Sequence, residues 1–168
     1  HQLLNDLLVK DCRMDDFFLA VATTAVPLLS KFEAYDYSIL SGAFAIAGAN
    51  PVLRDGTSLL RHIAMAIVEM KDLSSFSPEQ LSNTIWSMSK AEKELPSSLF
   101  VKVANTLAAH DLGSFGEQQL INMILAFAAS AKGPSNRTLF QAVAEELTTG
   151  HQLSSFTNQS LANIVFAF

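Results

Sequence analysis

The sequence predicts an all-α protein, a right-handed-type α-solenoid of about four stacked helix-turn-helix repeats of 39–42 residues. Three observations lead to this fold class. Two short motifs recur along the chain with one shared period. The apolar residues inside each copy follow a helical spacing, and no alternating stretch is long enough to predict a strand.

The first motif starts with Ser-Phe and places a leucine and then an asparagine five and seven residues after the phenylalanine. Clear copies start at Phe76, Phe115 and Phe156, which are 39 and 41 residues apart. A weaker copy is predicted 41 residues upstream of Phe76. It would have Tyr35, Leu40 and Gly42 at the positions of the phenylalanine, leucine and asparagine.

The second motif is an apolar run that alternates with the first along the chain. Its copies start 42, 40 and 40 residues apart, at Phe17, Leu59, Leu99 and Leu139. Two interlocked motifs with the same period are the mark of a repeat protein in which each unit contributes two helices.

Helix A of each unit begins at the first motif and helix B at the second. In the clearest copy Ser77 is the expected N-cap, with Pro78 in the first helical position and Glu79 in the first turn. Asp36, Gly116 and Thr157 are expected to replace Ser77 in the other copies, and one helix B is expected to begin near Ser97 or Ser98. The predicted helices span residues 2–10, 15–30, 37–49, 57–71, 78–91, 97–110, 117–131, 136–149 and 157–168.

These elements divide the chain into units of approximately 1–31, 32–71, 72–110, 111–151 and a partial 152–168. The chain begins at His1 and stops inside an apolar run at Phe168, which predicts a single solenoid segment of a longer protein. Flanking repeats of the same chain are therefore expected to cover its apolar ends.

Composition excludes several classes of protein. With 49% hydrophobic and 16% charged residues the chain is not a disordered tail, and a net charge of −5 argues against a generally basic nucleic-acid binder. The single Cys12, expected in a loop, cannot form an internal disulfide and is consistent with a reducing compartment. The longest apolar stretch, 39–49, falls short of the roughly 20 residues of a spanning helix, so no membrane insertion is expected.

Residues 76–90, Phe-Ser-Pro-Glu-Gln-Leu-Ser-Asn-Thr-Ile-Trp-Ser-Met-Ser-Lys, resemble the helix of octotricopeptide and heptatricopeptide repeats, which occur in the RAP-domain and FAST-kinase-like group of proteins. Residues 120–128 and 161–168 are further copies. The resemblance implies an organellar RNA-binding protein, mitochondrial or alternatively plastid. Such proteins bind mRNA or rRNA and support RNA stability, processing, translation or ribosome assembly. The alternative is a structural scaffold that contacts ribosomal or complex-assembly proteins in an organellar ribosome or membrane complex.

The candidate base-reading residues are the asparagines of the first motif. On a helical projection each lies roughly opposite the motif leucine, in a narrow polar or small arc shared with the residue four positions later. An amide can pair with a base edge, but it can equally bind backbone of the adjacent repeat in a structural ladder. These asparagines are Asn83, Asn122 and Asn163, and the companions in the arc are Ser87, Ala126 and Ala167.

Two sets of basic residues are candidate phosphate contacts. One set ends each helix B, where a cation equally stabilises the helix dipole, and comprises Lys31, Lys71, His110 and His151. The other set is expected in the loops between helices A and B, where the alternative is the ordinary charge of solvated loops, and comprises Arg13, Arg54, Lys90, Lys93, Lys132 and Arg137. Arg54, Lys93 and Arg137 are the RNA-binding candidates among them.

Catalytic chemistry has little support. The four histidines lack cysteine or acidic partners at metal-ligand spacing, and no glycine-rich phosphate loop occurs. The adjacent acidic pairs 15–16 and 145–146 face different ways on a helix. Five phenylalanines are assigned to the core rather than to base platforms, namely Phe17, Phe44, Phe100, Phe127 and Phe140. We therefore expect no enzyme activity, no cofactor and no metal in this segment.

Overall fold

A computed structural model of the chain describes residues 2–91, 95–130, 134–149, 153 and 156–168. For residues 2–13, 91, 108, 130, 134–136 and 138 it describes the backbone only. Within these ranges the protein is all-α, as predicted, and its β pairing is confined to a single bridge between Val52 and Ser58.

The described part contains eight α-helices and two short 3₁₀ helices. The α-helices are α1 (Gln2–Ala25), α2 (Ala34–Ile46), α3 (Leu59–Glu69), α4 (Pro78–Ala91), α5 (Ser97–Ala108), α6 (Glu117–Ser130), α7 (Pro134–Thr149) and α8 (Asn158–Ala167). The 3₁₀ helices are Val26–Lys31 and Leu112–Ser114. From α2 onward the helix bounds agree with the predicted ones to within a few residues.

The helices pack in two rows. Helix α4 contacts both α2 and α6, and α6 also contacts α8, so these four helices form what we call the A row. Helix α5 contacts both α3 and α7, which together form the B row. From α2 onward, each α-helix thus packs chiefly against an α-helix that lies two positions away among the α-helices of the chain.

One hydrophobic core contains residues from the helices of both rows, and the motif leucines contribute to it. Leu81 and Leu120 are completely buried, whereas Leu161 in the last helix is only partly buried. Ile85 and Met88 are also buried, which confirms the helical spacing read from the sequence.

The register predicted for the earliest copy of the first motif is wrong. In every copy the motif phenylalanine donates its backbone N–H to the carbonyl oxygen of a leucine three residues earlier, and Phe32 makes this bond to Leu29. Tyr35, which was expected to replace the phenylalanine, is 62% exposed. Counting from Phe32, Tyr37 occupies the buried leucine position, while Leu40 is only partly buried.

The tyrosine is accommodated in the core because its polar end has a partner. The Tyr37 hydroxyl donates a hydrogen bond to the carbonyl oxygen of Leu29 at 2.5 Å. Burial of the ring, and secondarily the charge of Asp36, raise the pKa of the Tyr37 hydroxyl. The hydrogen-bond donor is therefore retained over the ordinary pH range.

The N-termini of the A-row helices have local caps. The hydroxyl of Ser77 accepts the Gln80 backbone N–H while the Gln80 side chain accepts that of Ser77, and Thr157 accepts the backbone N–H of Ser160. In α2 the cap is Glu33 rather than Asp36, whose carboxylate instead accepts the Glu33 backbone N–H as the reciprocal half of a capping box.

The first two predicted helices are one. Helix α1 runs without a break from residue 2 to residue 25, so Cys12 and Arg13 lie inside a helix and not in a loop. No glycine or proline separates residues 10 and 15, and the first proline, Pro27, coincides with the change to 3₁₀ geometry. Phe17 is 57% exposed, which corrects its assignment to the core.

Candidate functional site

A pair of residues recurs on the outward side of three consecutive A-row helices. Each pair is an asparagine followed three residues later by a large apolar residue, and residues three apart lie on the same side of a helix. All six side chains are partly buried or exposed, whereas most of their sequence neighbours in α4 and α6 are buried. We call these residues the outer stripe, namely Asn83 and Trp86 in α4, Asn122 and Leu125 in α6, and Asn163 and Phe166 in α8.

Two of the three amides of the outer stripe bond within their own helices. The Gln118 Nε2 donates to Asn122 Oδ1 at 2.8 Å, and the Gln159 Nε2 donates to Asn163 Oδ1 at 3.1 Å. In α4 an acid, Glu79, occupies the position of these glutamines. Among the described residues these amides make no hydrogen bond to backbone of an adjacent repeat.

The companions predicted to share the polar arc with the asparagines lie elsewhere. Ser87 and Ala126 are buried, and a Cβ built on Gly42 of α2 would lie 3.8 Å from the Ser87 Oγ. These small residues therefore face the neighbouring helix and permit close packing in the A row. Ala167 remains only partly buried.

An open apolar cleft adjoins the outer stripe near the C-terminal ends of α4 and α6 and the end of the chain. Its walls include Trp86, Leu125, Phe166 and Phe168. The Lys90 Nζ lies 5.7 Å from the centroid of the Trp86 ring, in cation–π range. Lys90 is the sole charged residue among the described residues that line the cleft.

Of the cations predicted to end each helix B, one binds a helix C-terminus as expected. The His110 Nδ1 lies 2.8 Å from the carbonyl oxygen of Thr106, so this ring nitrogen donates to the last turn of α5. Lys31 lies in the last turn of its 3₁₀ helix and Lys71 is exposed beyond α3. His151 falls outside the described residues.

The C-terminus of α3 is bound instead by Lys102, a role that was not predicted from the sequence. The Lys102 Nζ of α5 donates to the carbonyl oxygens of Val68, at 2.9 Å, and of Met70. The available signal was a lone lysine between Val101 and Val103 on an otherwise apolar stretch of helix B. A cation there joins two consecutive helices of the B row.

The turn after α3 contains Asp72, a carboxylate with a lowered pKa. The hydroxyl and the backbone N–H of Ser74 both donate to Asp72, and these two bonds hold the pKa of Asp72 below its ordinary value. The positive charges of Lys71 and Lys102 act in the same direction.

Of the described basic residues predicted in the A-to-B loops, only Arg54 lies in a loop. Arg54 is exposed in the turn between α2 and α3, as expected. Lys90 lies in the last turn of α4 and Arg137 is exposed within α7, so both belong to helices, as does Arg13. Lys93 and Lys132 lie outside the described residues. Among the described residues, neither Arg54 nor Arg137 makes a hydrogen bond with the outer-stripe asparagines.

His62 of α3 has an acidic partner, Asp55, that the sequence did not predict. The His62 Nε2 lies 3.0 Å from Asp55 Oδ2, which brings the loop before α3 against that helix. Over the part of the chain that the structure describes, no three His, Cys, Asp or Glu side chains are grouped to hold a metal ion. In the same part, every helix is too short or too polar to cross a membrane.

The chain matches no protein-family model, no curated protein and no solved structure. The class that its geometry defines is an all-α protein with two rows of packed helices and a repeated amide–apolar stripe on one row.

Proposed function

We propose that the chain is a non-catalytic RNA-binding segment, in which the outer stripe of the A row contacts single-stranded RNA. The observation that carries this proposal is the recurrence of an amide and a large apolar residue at matched positions of α4, α6 and α8. Helical repeat proteins that bind RNA commonly read about one base per repeat, with two or three side chains for each base.

The proposal includes a right-handed-type α-solenoid, in which each A-row helix and the following B-row helix form one repeat. Support comes from the packing of α2, α4, α6 and α8 in series beside the series α3, α5 and α7. In such an array the outer stripe follows the long axis of the protein, as an extended RNA strand requires.

The chemistry of the stripe suits bases better than phosphates. An asparagine amide can donate to and accept from a base edge, and an apolar or aromatic neighbour can stack on the base. The net charge of −5 and the few cations near the stripe predict a shallow salt dependence, because each phosphate contact to a single strand adds only about 0.7 to the log–log slope.

The setting of this activity is proposed from the sequence resemblance alone. Residues 76–90 resemble octotricopeptide-type repeats, so we place the protein in mitochondria, or alternatively in plastids. There it would bind mRNA or rRNA and support RNA stability, processing, translation or ribosome assembly.

Fluorescence anisotropy of labelled single-stranded RNAs of different sequence tests the proposal. Changing all three stripe asparagines to Ala should alter the preference among sequences while leaving the salt slope nearly unchanged. Asn105→Ala, an exposed change in α5 of the other row, is the matched control and should have no effect. Absence of RNA binding by the folded wild-type chain would refute the proposal.

A scaffold that binds protein is the second candidate, and one observation favours it. The last helix exposes a large apolar face, with Val165 at 78%, Phe166 at 82% and Phe168 at 59% exposure. Contiguous exposed apolar residues of this kind often mark a protein contact. Crosslinking in the native organelle separates the candidates, because a scaffold would crosslink to protein and not to RNA.

A further inference from the structure

Trp86 stands out from the other members of the outer stripe by its residue type, its exposure and its position. It is the chain's single tryptophan, it is partly exposed, and it lies in the wall of the apolar cleft. The Lys90 ammonium group sits over its ring, and Asn83 lies one turn earlier on the same side of α4.

We infer that Trp86 is a stacking platform for one nucleobase of single-stranded RNA, with Lys90 binding the phosphate next to that base. This inference rests on the proposed function and assigns residues to it. Tryptophan presents a large flat π-face that stacks on any base, whereas an amide reads only the edge of a base. The site would therefore add affinity without strong sequence preference.

The charge of the cleft supports a nucleotide as its occupant. No carboxylate lies among the described residues that line it, and Lys90 makes no ion pair within the described part of the chain. A lysine at the rim of an aromatic cleft complements a ligand with a flat ring and an adjoining negative charge.

The repetition of the outer stripe also favours an RNA strand that continues past Trp86. Leu125 and Phe166 occupy the same position in the next two A-row helices, and both line the same cleft. An apolar surface that repeats with each helix suits successive bases. In α2, counting from its own cap, the stripe positions are Ile39 and Gly42, so the amide and the large apolar side chain are both missing. The RNA should therefore be bound from α4 to α8.

The single tryptophan makes the test specific to this site. The wild-type chain is titrated with short oligouridylate and oligoadenylate RNAs. Tryptophan fluorescence and the anisotropy of the same dye-labelled RNA are recorded in parallel. The inference predicts quenching of Trp86 that follows the anisotropy with the same Kd. Oligoadenylate should quench more strongly, because adenine has the larger face to stack on the ring.

Variants of Trp86 and Lys90 distinguish base stacking from a role in protein packing alone. Trp86→Ala should weaken binding by about 5- to 150-fold, the loss typical for removal of one base–aromatic contact. Trp86→Phe should retain most of the affinity and provides a readable result if the alanine variant fails to fold. Lys90→Gln should weaken binding and reduce the salt slope by about 0.7. Arg61→Gln, which also removes one positive charge but lies in α3 of the B row outside the cleft, is its control and should change neither.

An RNA set with one abasic nucleotide completes the test. Moving the abasic site along the strand should abolish quenching at one position, and there Trp86→Ala should have no further effect because the two changes remove the same contact. RNA binding without any change in Trp86 fluorescence would overturn the inference and leave the proposed function standing. No RNA binding in the anisotropy measurement would refute both. Quenching by an apolar helical peptide but not by RNA would assign the cleft to a protein partner and also overturn the inference.

Discussion

Truncation of the motif leucine tests whether neighbouring A-row helices support one another on both sides. Leu120 is completely buried in α6, which packs between α4 and α8, whereas Leu161 at the same motif position of α8 is only partly buried. Replacement of leucine by alanine removes three carbons, and about 0.8 kcal/mol for each buried carbon gives a transfer term of about 2.4 kcal/mol.

The expected losses of stability at Leu120 and Leu161 differ because the surroundings of the two side chains differ. In α6 the vacated volume is enclosed, so a cavity term raises the expected loss for Leu120→Ala to about 3–4 kcal/mol. In α8 the site lies beside solvent and can collapse, so Leu161→Ala should lose only about 1.5 kcal/mol.

Urea denaturation followed by far-UV circular dichroism measures both losses on the same chain. The free energy of unfolding should fall about twice as far for Leu120→Ala as for Leu161→Ala, with similar m values for the two variants. Equal losses, or a larger loss for Leu161→Ala, would show that α6 is not enclosed between its neighbours and would refute the reasoning.

Three further predictions concern the B row, the exposed end and the basic residues. Lys102→Met should lower the free energy of unfolding by about 1–2 kcal/mol because the last carbonyls of α3 lose their donor, while Lys71→Met should change it little. Sedimentation should show concentration-dependent association of the chain, which Val165→Lys should weaken; a monomer at all concentrations would contradict this. If the basic residues named from the sequence contact phosphates, reversing them to Glu should reduce both RNA affinity and the salt slope, by about 0.7 for each lost contact. These residues are Arg54, Lys93 and Arg137. Unchanged affinity in a folded variant would exclude them from the interface.

The sequence alone determined the features that depend on short stretches of chain. The helical spacing of Leu81, Ile85 and Met88 and the cap at Ser77 were both predicted from residues within one or two turns of each other. Such features are local because a cap or a buried helix face is specified by residues three or four apart. The outer-stripe asparagines were found in the same way, from their position in the motif.

Only the tertiary structure decided which residues face a neighbouring helix, and this altered the reading of the candidate site. Ser87 and Asn83 look alike on a helical projection, yet Ser87 is buried against α2 and Asn83 is not. Lys102 binds the carbonyl of a residue 34 positions away, and Tyr37 fills a leucine position because Leu29 accepts its hydroxyl. In each case the partner is distant in sequence or belongs to another helix. The energetic reason for the residue therefore exists only once the helices have packed.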